Sequence, residues 1–474
     1  MKNKQSTTNL YLAWTLALVL PAFSCKKLIE IPANAPGNIV TSQVFTDSGS
    51  AVAAVTGIYS GFMGSFGSFD FPSGAITLYT GLSGDELGYT GTGQSSQAFF
   101  QNQLLPTTQN ISDLWQGAYG SSRLYQINAC IEGLSANKTL SASLKNQLTG
   151  EVKTARAFFY FNLVNLFGPV PLVVSTDYQI NNTLPRSDTG LVYQQIVADL
   201  TDAEKQLSAP YPSAGRERPN LYTALALHAR VNLYRQRWAE AEAAASKVID
   251  AGVYHLETDV ANVFFAGSAE AIWQLPPGGG VFNPNMVTTE GYLFVPDMIY
   301  TQVPPYVISD HLYAAFGTGD ERLTNWINTS TDGVHTYHYP AKYKRSYSNY
   351  SSPAEDYMVL RLGEQYLVRA EARAEQNNIA GALDDVNTIR ERAGLADTAA
   401  ATQADMLGIL MRERQLELSC EWGHRWYDLK RTGTISTVLG TEKPGWKPSA
   451  AYYPIPLNQI KLNPRLTQNE GYTQ

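Results

Sequence analysis

Three cysteines, six histidines and a charged fraction of 16% are all that this chain of 474 residues offers to redox, metal or ionic chemistry. Soluble domains ordinarily carry about 25% charged residues. The cysteines stand far apart, at 25, 130 and 420, so no closely spaced set resembles a zinc or dithiol site. Cys130 and Cys420 lie in helix-like apolar surroundings, where a free cysteine is usually a small core residue. Spacing alone leaves a disulfide between them open. His335 and His338 flank Tyr337 and precede Tyr339-Pro340, a strand-like setting in which the two imidazoles point apart. Gly81-Leu82-Ser83-Gly84-Asp85 lacks the final glycine of a nucleophile elbow, which makes Ser83 a loop residue. Gly278–Gly280 lacks the Lys-Ser/Thr of a phosphate loop. Asp85-Glu86 and Asp320-Glu321 have no recognisable catalytic or calcium spacing. The sequence therefore assigns no catalytic residue, metal ligand or cofactor. A basic excess is missing too: the net charge is −7, which gives no reason to expect nucleic acid or an anionic membrane face as partner.

Long apolar runs are also scarce. Leu10–Phe23 is one, fourteen residues long, against the roughly 20 that a spanning helix needs. It follows Lys2 and Lys4 and ends at Ser24-Cys25, the order of a secretory signal. Residues 1–24 are read as a lipoprotein signal peptide and Cys25 as the lipidated residue, although Ala22 stands where a lipobox prefers Leu. Residues 25–40, with Pro32 and Pro36, form a tether. Residues 41–474 form a single domain.

What the chain has in quantity is helical periodicity and tyrosine. Thr41–Phe62 reads as a first helix, followed by long loops over Gly61–Gly93. Leu114–Leu134 reads as one helix, Leu144–Phe167 as a buried helix stopped by Gly168-Pro169, and Thr189–Leu207 as an amphipathic one. Two helical hairpins follow, Asn220–Arg235 with Trp238–Ala251 and Leu362–Glu375 with Ile379–Arg392. Both have alanines where helices would cross. Trp238, Ala241 and Ala245 face inward, as in the second helix of a tetratricopeptide unit. With pairs around 114–167 and 151–207, about four such units stack. The fold class is therefore all-α: tetratricopeptide-like helical hairpin repeats with a large irregular, partly β loop region. That region, about 254–357, carries eleven tyrosines, a strand-like Ala271–Gln274 with Trp273 in the core, and a short helix near Ser309–Phe316.

Arg412–Arg431, RERQLELSCEWGHRWYDLKR, reads as a half-buried helix. Leu407, Met411, Leu418 and Trp422 line one stripe, and Glu413, Glu417 and Glu421 another. Carboxylates four apart repel, so they need cations, and Arg414 and Arg425 are the near candidates. Gly423 would end the helix in a left-handed cap. The segment resembles the C-terminal signature of the SusD/RagB family, through Glu413, Arg414, Glu417, Leu418, Glu421, Arg425, Asp428, Leu429 and Arg431. Trp422-Gly423 departs from it by displacing the glycine one position. The resemblance continues through the Trp115–Tyr119–Asn128 helix, Phe167-Gly168-Pro169-Val170-Pro171, Arg361-Leu362-Gly363-Glu364, Arg392-Ala393-Gly394, Tyr453-Pro454-Ile455-Pro456 and Asn463-Pro464. It implies a non-enzymatic outer-membrane lipoprotein, facing outward, that captures oligosaccharide or polysaccharide and passes it to a TonB-dependent SusC-like transporter. Such a protein touches the membrane through its lipid alone. RagB-type members imply peptide as the alternative cargo. A helical-repeat adaptor binding only protein is a further alternative, and a glycoside hydrolase the last.

Sugars present apolar faces ringed by hydroxyls, which aromatic rings and amides match. Two loop regions carry that mixture, Phe66–Phe100 and Phe282–Tyr350. From them Tyr79, Tyr89, Tyr292, Tyr306, Trp326 and Tyr347 are the expected ligand-binding residues.

Overall fold

The computed structural model of the chain describes residues 44–63, 71–120, 123–278, 286–297, 302–346, 349 and 351–473. Cys25, the tether and Tyr347 lie outside them. Among the described residues helices dominate, and the strands form three two-stranded antiparallel ribbons.

Both predicted hairpins form, as Leu221–Tyr234 with Trp238–Ile249 and Leu362–Glu375 with Ile379–Arg392. A capping box at Asn220 and Thr223 starts the first hairpin. Ala224, Ala226, Ala229, Ala241 and Ala245 are fully buried, as are Ala370, Ala372 and Ala374. Small side chains let the helices approach closely. Trp238 is only half-buried. Charged pairs then fix the crossings: Arg230 holds Glu364 at 2.5 and 2.6 Å, and Arg369 holds Asp385 at 2.7 Å. The long helix Ala142–Phe167 is buried along its second half and ends at Gly168, φ 72°. The predicted single helix over Leu114–Leu134 is instead two, Gln109–Ala118 and Arg123–Ala136. Cys130 and Cys420 are both free and buried.

The insertion has the expected strand, Ala271–Leu275, paired with Tyr357–Arg361, and Trp273 is fully buried. A second ribbon joins Ile327–Thr331 to Thr336–Pro340. The short helix Asp310–Ala315 is present, with Thr289–Phe294 and Glu321–Trp326 beside it in sequence.

Two further expectations about helix boundaries fail. The stretch read as loop contains the helix Ala75–Ser83, whose nine residues are all buried. A helix buried on every side has no polar face, so it shows no amphipathic period. Ser83 ends this helix, its hydroxyl 2.9 Å from that of Tyr453. Nor is Arg412–Arg431 one helix. Gln403–Glu417 stops at Leu418, and His424–Arg431 starts afresh. Cys420, Trp422 and Gly423 between them adopt positive φ, and Gly423 precedes the second helix instead of closing the first. A Cβ on Gly423 would come within 2.8 Å of the Thr80 hydroxyl, so the glycine also permits close docking on the buried helix. The Trp422 amide donates to Thr77 at 3.0 Å, and the Cys420 amide to Glu86 at 2.8 Å.

The three spaced glutamates are indeed buried, but their partners are remote. Glu413 takes Arg322 at 2.5 Å. Glu417 takes Arg361 at 2.6 Å and Arg322 at 3.1 Å, and pairs with Arg392. Glu421 takes Arg361 at 2.8 Å and Lys342 at 2.5 Å. Arg414 and Arg425 turn elsewhere, to Asp428 at 2.8 Å and Asp85 at 2.6 Å. Burial opposes ionisation of Glu417, but Arg392, Arg361 and Arg322 outweigh it and hold the carboxyl well below its usual range. The Arg361-Leu362-Gly363-Glu364 motif follows from this cluster. Arg361 enters it, Glu364 receives Arg230, and a Cβ at Gly363 would sit 2.6 Å from the Arg361 guanidinium.

Candidate functional site

The two predicted aromatic regions meet through backbone pairing. Leu87–Tyr89 forms an antiparallel ribbon with Tyr306–Ile308, and Tyr89 and Tyr306 are register partners. Their rings stack at 5.5 Å with an interplanar angle of 27°. The Tyr89 hydroxyl accepts from the Gly93 amide at 2.7 Å, and the Tyr306 hydroxyl lies 3.2 Å from that of Ser96. Phe294 packs edge-on against Tyr306 at 6.2 Å. Phe294 ends the helix Thr289–Phe294, which Thr288 caps by accepting from the Gly291 amide. The same helix projects Tyr292, 41% exposed. Three expected residues thus belong to neighbouring elements: Tyr89 is half-buried, Tyr306 is buried against it, and Tyr292 is exposed on the helix that packs on Tyr306 through Phe294.

The other expected residues are placed differently. Tyr79 is 2% exposed. It stacks on Phe99 at 4.3 Å and accepts a hydrogen bond from Asn110, so it belongs to the floor beneath the corner. Burial pushes its phenol well above the usual range. Trp326 is a core residue, also 2% exposed. Its indole donates to the Val260 carbonyl at 2.8 Å, and its ring faces Lys342, Arg392 and Arg361 at 4.5, 5.6 and 5.8 Å. It packs on the ion cluster and offers no face to a ligand. Tyr347 lies outside the described residues.

A concavity of about 270 Å³ adjoins Val295, the residue that follows the Tyr292 helix. Asn325, Asn328, Tyr339 and Asn349 contribute to its wall. None of these four was among the expected residues. The Trp326-Ile327-Asn328 sequence gives a usable signal only once the strand starting at Ile327 is known, because alternation then turns Asn328 outward while Ile327 is buried.

The carboxylates near the corner are engaged in structure. Asp85 is held by Arg425. Burial raises Glu86 to about 7 and Glu290 to about 8. Glu86 accepts from the Cys420 amide, and Glu290 from the Tyr357 hydroxyl at 2.9 Å. The corner and its concavity also present rings and amides beside Lys344, and rings and amides suit recognition by stacking and neutral hydrogen bonds.

Residues 312–472 match the family model described as SusD family, and residues 84–233 match one described as starch-binding associating with outer membrane. The chain belongs to the SusD/RagB family. A SusD-like protein of Formosa agariphila is 24% identical, over 96% of this chain and 98% of its own length. The starch-binding protein SusD of Bacteroides thetaiotaomicron is 25% identical, over 72% of this chain and 74% of its own. A solved SusD superfamily structure from Bacteroides vulgatus superposes with a TM-score of 0.79 at 20% identity, over 90% of this chain and all of that one. The residues of the C-terminal signature fall mostly in buried ion pairs and the turn between the two helices, so they define the scaffold and leave the ligand open.

Proposed function

We propose that this protein binds neutral oligosaccharide or polysaccharide at the cell surface and delivers it to a TonB-dependent SusC-like transporter. Lipid at Cys25 holds it to the outer membrane, facing outward. The observation that carries this reading is the corner where a short helix packs through Phe294 on the stacked Tyr89–Tyr306 pair and leaves its Tyr292 exposed. A pre-packed aromatic platform gives a sugar ring a face at little entropic cost. The starch-binding name of the Bacteroides thetaiotaomicron relative and the description of the family model over 84–233 support the same cargo class. No covalent step is assigned to the protein.

Calorimetric titration of the purified protein with neutral glucan, xylan and mannan oligosaccharides, and with mixed peptides, tests the cargo. Oligosaccharide binding is expected, with at least a tenfold loss for Tyr292→Ala, a change of about 1.4 kcal/mol. Binding of peptides alone overturns the sugar reading, and shortening of the oligosaccharide on long incubation overturns the non-enzymatic one. Cys25→Ala is expected to move the protein out of the membrane fraction in detergent phase partitioning. Unchanged retention contradicts the lipid anchor.

A further inference from the structure

A groove of about 460 Å³ opens where the helix Gln109–Ala118 ends, Arg123–Ala136 begins and the chain runs from Pro171 to Asn182; the helix Leu457–Leu462 closes it. None of the expected ligand residues lines it. Its volume falls within the roughly 300–1,000 Å³ of small-ligand sites.

Three tyrosines define its surface. Tyr119 forms the floor: its hydroxyl donates to the Pro171 carbonyl at 2.7 Å, and its ring lies 4.8 Å from that of Trp115. Tyr125 and Tyr178 stand at the rim, 50% and 67% exposed. The wall behind them is fixed. The Tyr160 hydroxyl bonds both the amide and the carbonyl of Val173, at 2.7 and 2.8 Å, and Asn128 donates to the same carbonyl at 2.9 Å. The groove is therefore preformed.

Its polar groups are neutral and available. Among the described residues, the hydroxyls of Tyr125 and Tyr178 and the side-chain amides of Asn182 and Gln459 have no intramolecular partner, and no charged side chain lines the groove. Protein-binding patches are enriched in arginine and methionine as well as in aromatic residues, and here the polar complement is amide and hydroxyl with neither arginine nor methionine. An ionic ligand would find no counter-charge. A chain of pyranose rings finds stacking faces on the rim and donors and acceptors between them.

We infer that this groove is a second carbohydrate-binding site, for a short run of uncharged sugar residues, distinct from the corner at Tyr89, Tyr292 and Tyr306. The inference rests on the carbohydrate reading above. Two sites on one rigid scaffold would let a long polysaccharide engage both at once, raising its avidity over a short oligosaccharide.

The test is calorimetry on the full-length, detergent-purified protein with maltoheptaose, laminarihexaose, xylohexaose and mannohexaose, comparing wild type, Tyr292→Ala and the double variant Tyr125→Ala/Tyr178→Ala. The rim tyrosines are exposed, so the double variant should melt like wild type. Wild type is expected to show two sites for at least one of these sugars. The double variant should lose one of them or bind there at least tenfold more weakly, while Tyr292→Ala affects the other. A single wild-type site that the double variant loses and Tyr292→Ala keeps supports the groove and overturns the corner. Unchanged stoichiometry and affinity in the double variant overturn the groove and leave the corner standing. A double variant that keeps all sugar binding but stops co-purifying an outer-membrane protein makes the groove a protein contact and also overturns the inference. No binding of any of the four sugars by wild type overturns both readings.

Discussion

The floor of the insertion and its outer corner use the same kinds of side chain to opposite ends. At the floor, Trp326 closes over Arg361, Arg392 and Lys342, and its indole is tied to a backbone carbonyl. At the corner, Tyr292 projects from a short capped helix beside a stacked tyrosine pair. Both residues are aromatic, both lie in the tyrosine-rich insertion, and sequence makes both candidates for ligand contact. The difference lies beneath them. Trp326 rests on a cluster whose charges are already balanced inside the protein, so its burial seals those charges from water. Tyr292 stands on a short surface helix and is 41% exposed. Many of the buried charges are paired at helix crossings and under the insertion, and no charged side chain lines the groove at Tyr125 and Tyr178.

That contrast breaks most visibly at Glu417. Removing a carboxylate shared by three arginines leaves buried cations uncompensated, so Glu417→Ala should cost roughly 3–5 kcal/mol, read as a large fall in denaturation midpoint. A midpoint like that of wild type would mean that the cluster does not stabilise the fold. Trp326→Phe should cost less, about 1–3 kcal/mol, because the Val260 carbonyl loses its donor. Sugar affinity of the folded fraction should be unchanged; a tenfold loss would return Trp326 to the binding surface.

A pH titration sharpens the comparison within the core. Glu417 ionises more readily folded than unfolded, so its contribution is present above the unfolded carboxyl value and lost as pH falls through its lower folded value. Glu290, raised to about 8 by burial, has the opposite sign. The folded state keeps a proton that the unfolded state releases, so stability should decline as pH rises from about 4.5 towards 8. Glu290→Gln should flatten that decline in chemical denaturation series at stepped pH. A decline of the same slope in the variant would place its origin in another group.

The smallest expected effects belong to the corner. Tyr292→Ala should change stability by no more than about 0.5 kcal/mol, as exposed substitutions usually do, whatever it does to sugar binding. Sugar affinity itself should barely move between low and high salt, because a neutral ligand releases few ions and surface charge is screened. A steep salt dependence in the titration would point to a charged ligand.

Much of the scaffold was legible in the sequence. The two hairpins, the Ser309–Phe316 helix and the strand at Ala271 all carry their own period or turn signal, and the structure places them within a few residues of expectation. The helix Ala75–Ser83 carried no such signal because all its faces are buried. The corner was half legible: the aromatic regions were recognisable, but the pairing of Leu87–Tyr89 with Tyr306–Ile308 joins segments more than two hundred residues apart in sequence. No local pattern encodes such a pairing.

Glu413, Glu417 and Glu421 show where the boundary falls. Their spacing among large apolar residues already required that they be buried and neutralised, because like charges on an apolar face are stable only with cations. Which cations they meet was a tertiary decision. Arg322, Arg361, Arg392 and Lys342 come from four separate places in the chain and reach the cluster beside the turn after Glu417, which docks on the buried helix at Thr77 and Thr80. Local sequence sets what each side chain must satisfy. The packing of distant segments decides which partner satisfies it, and so which aromatic rings are left facing water.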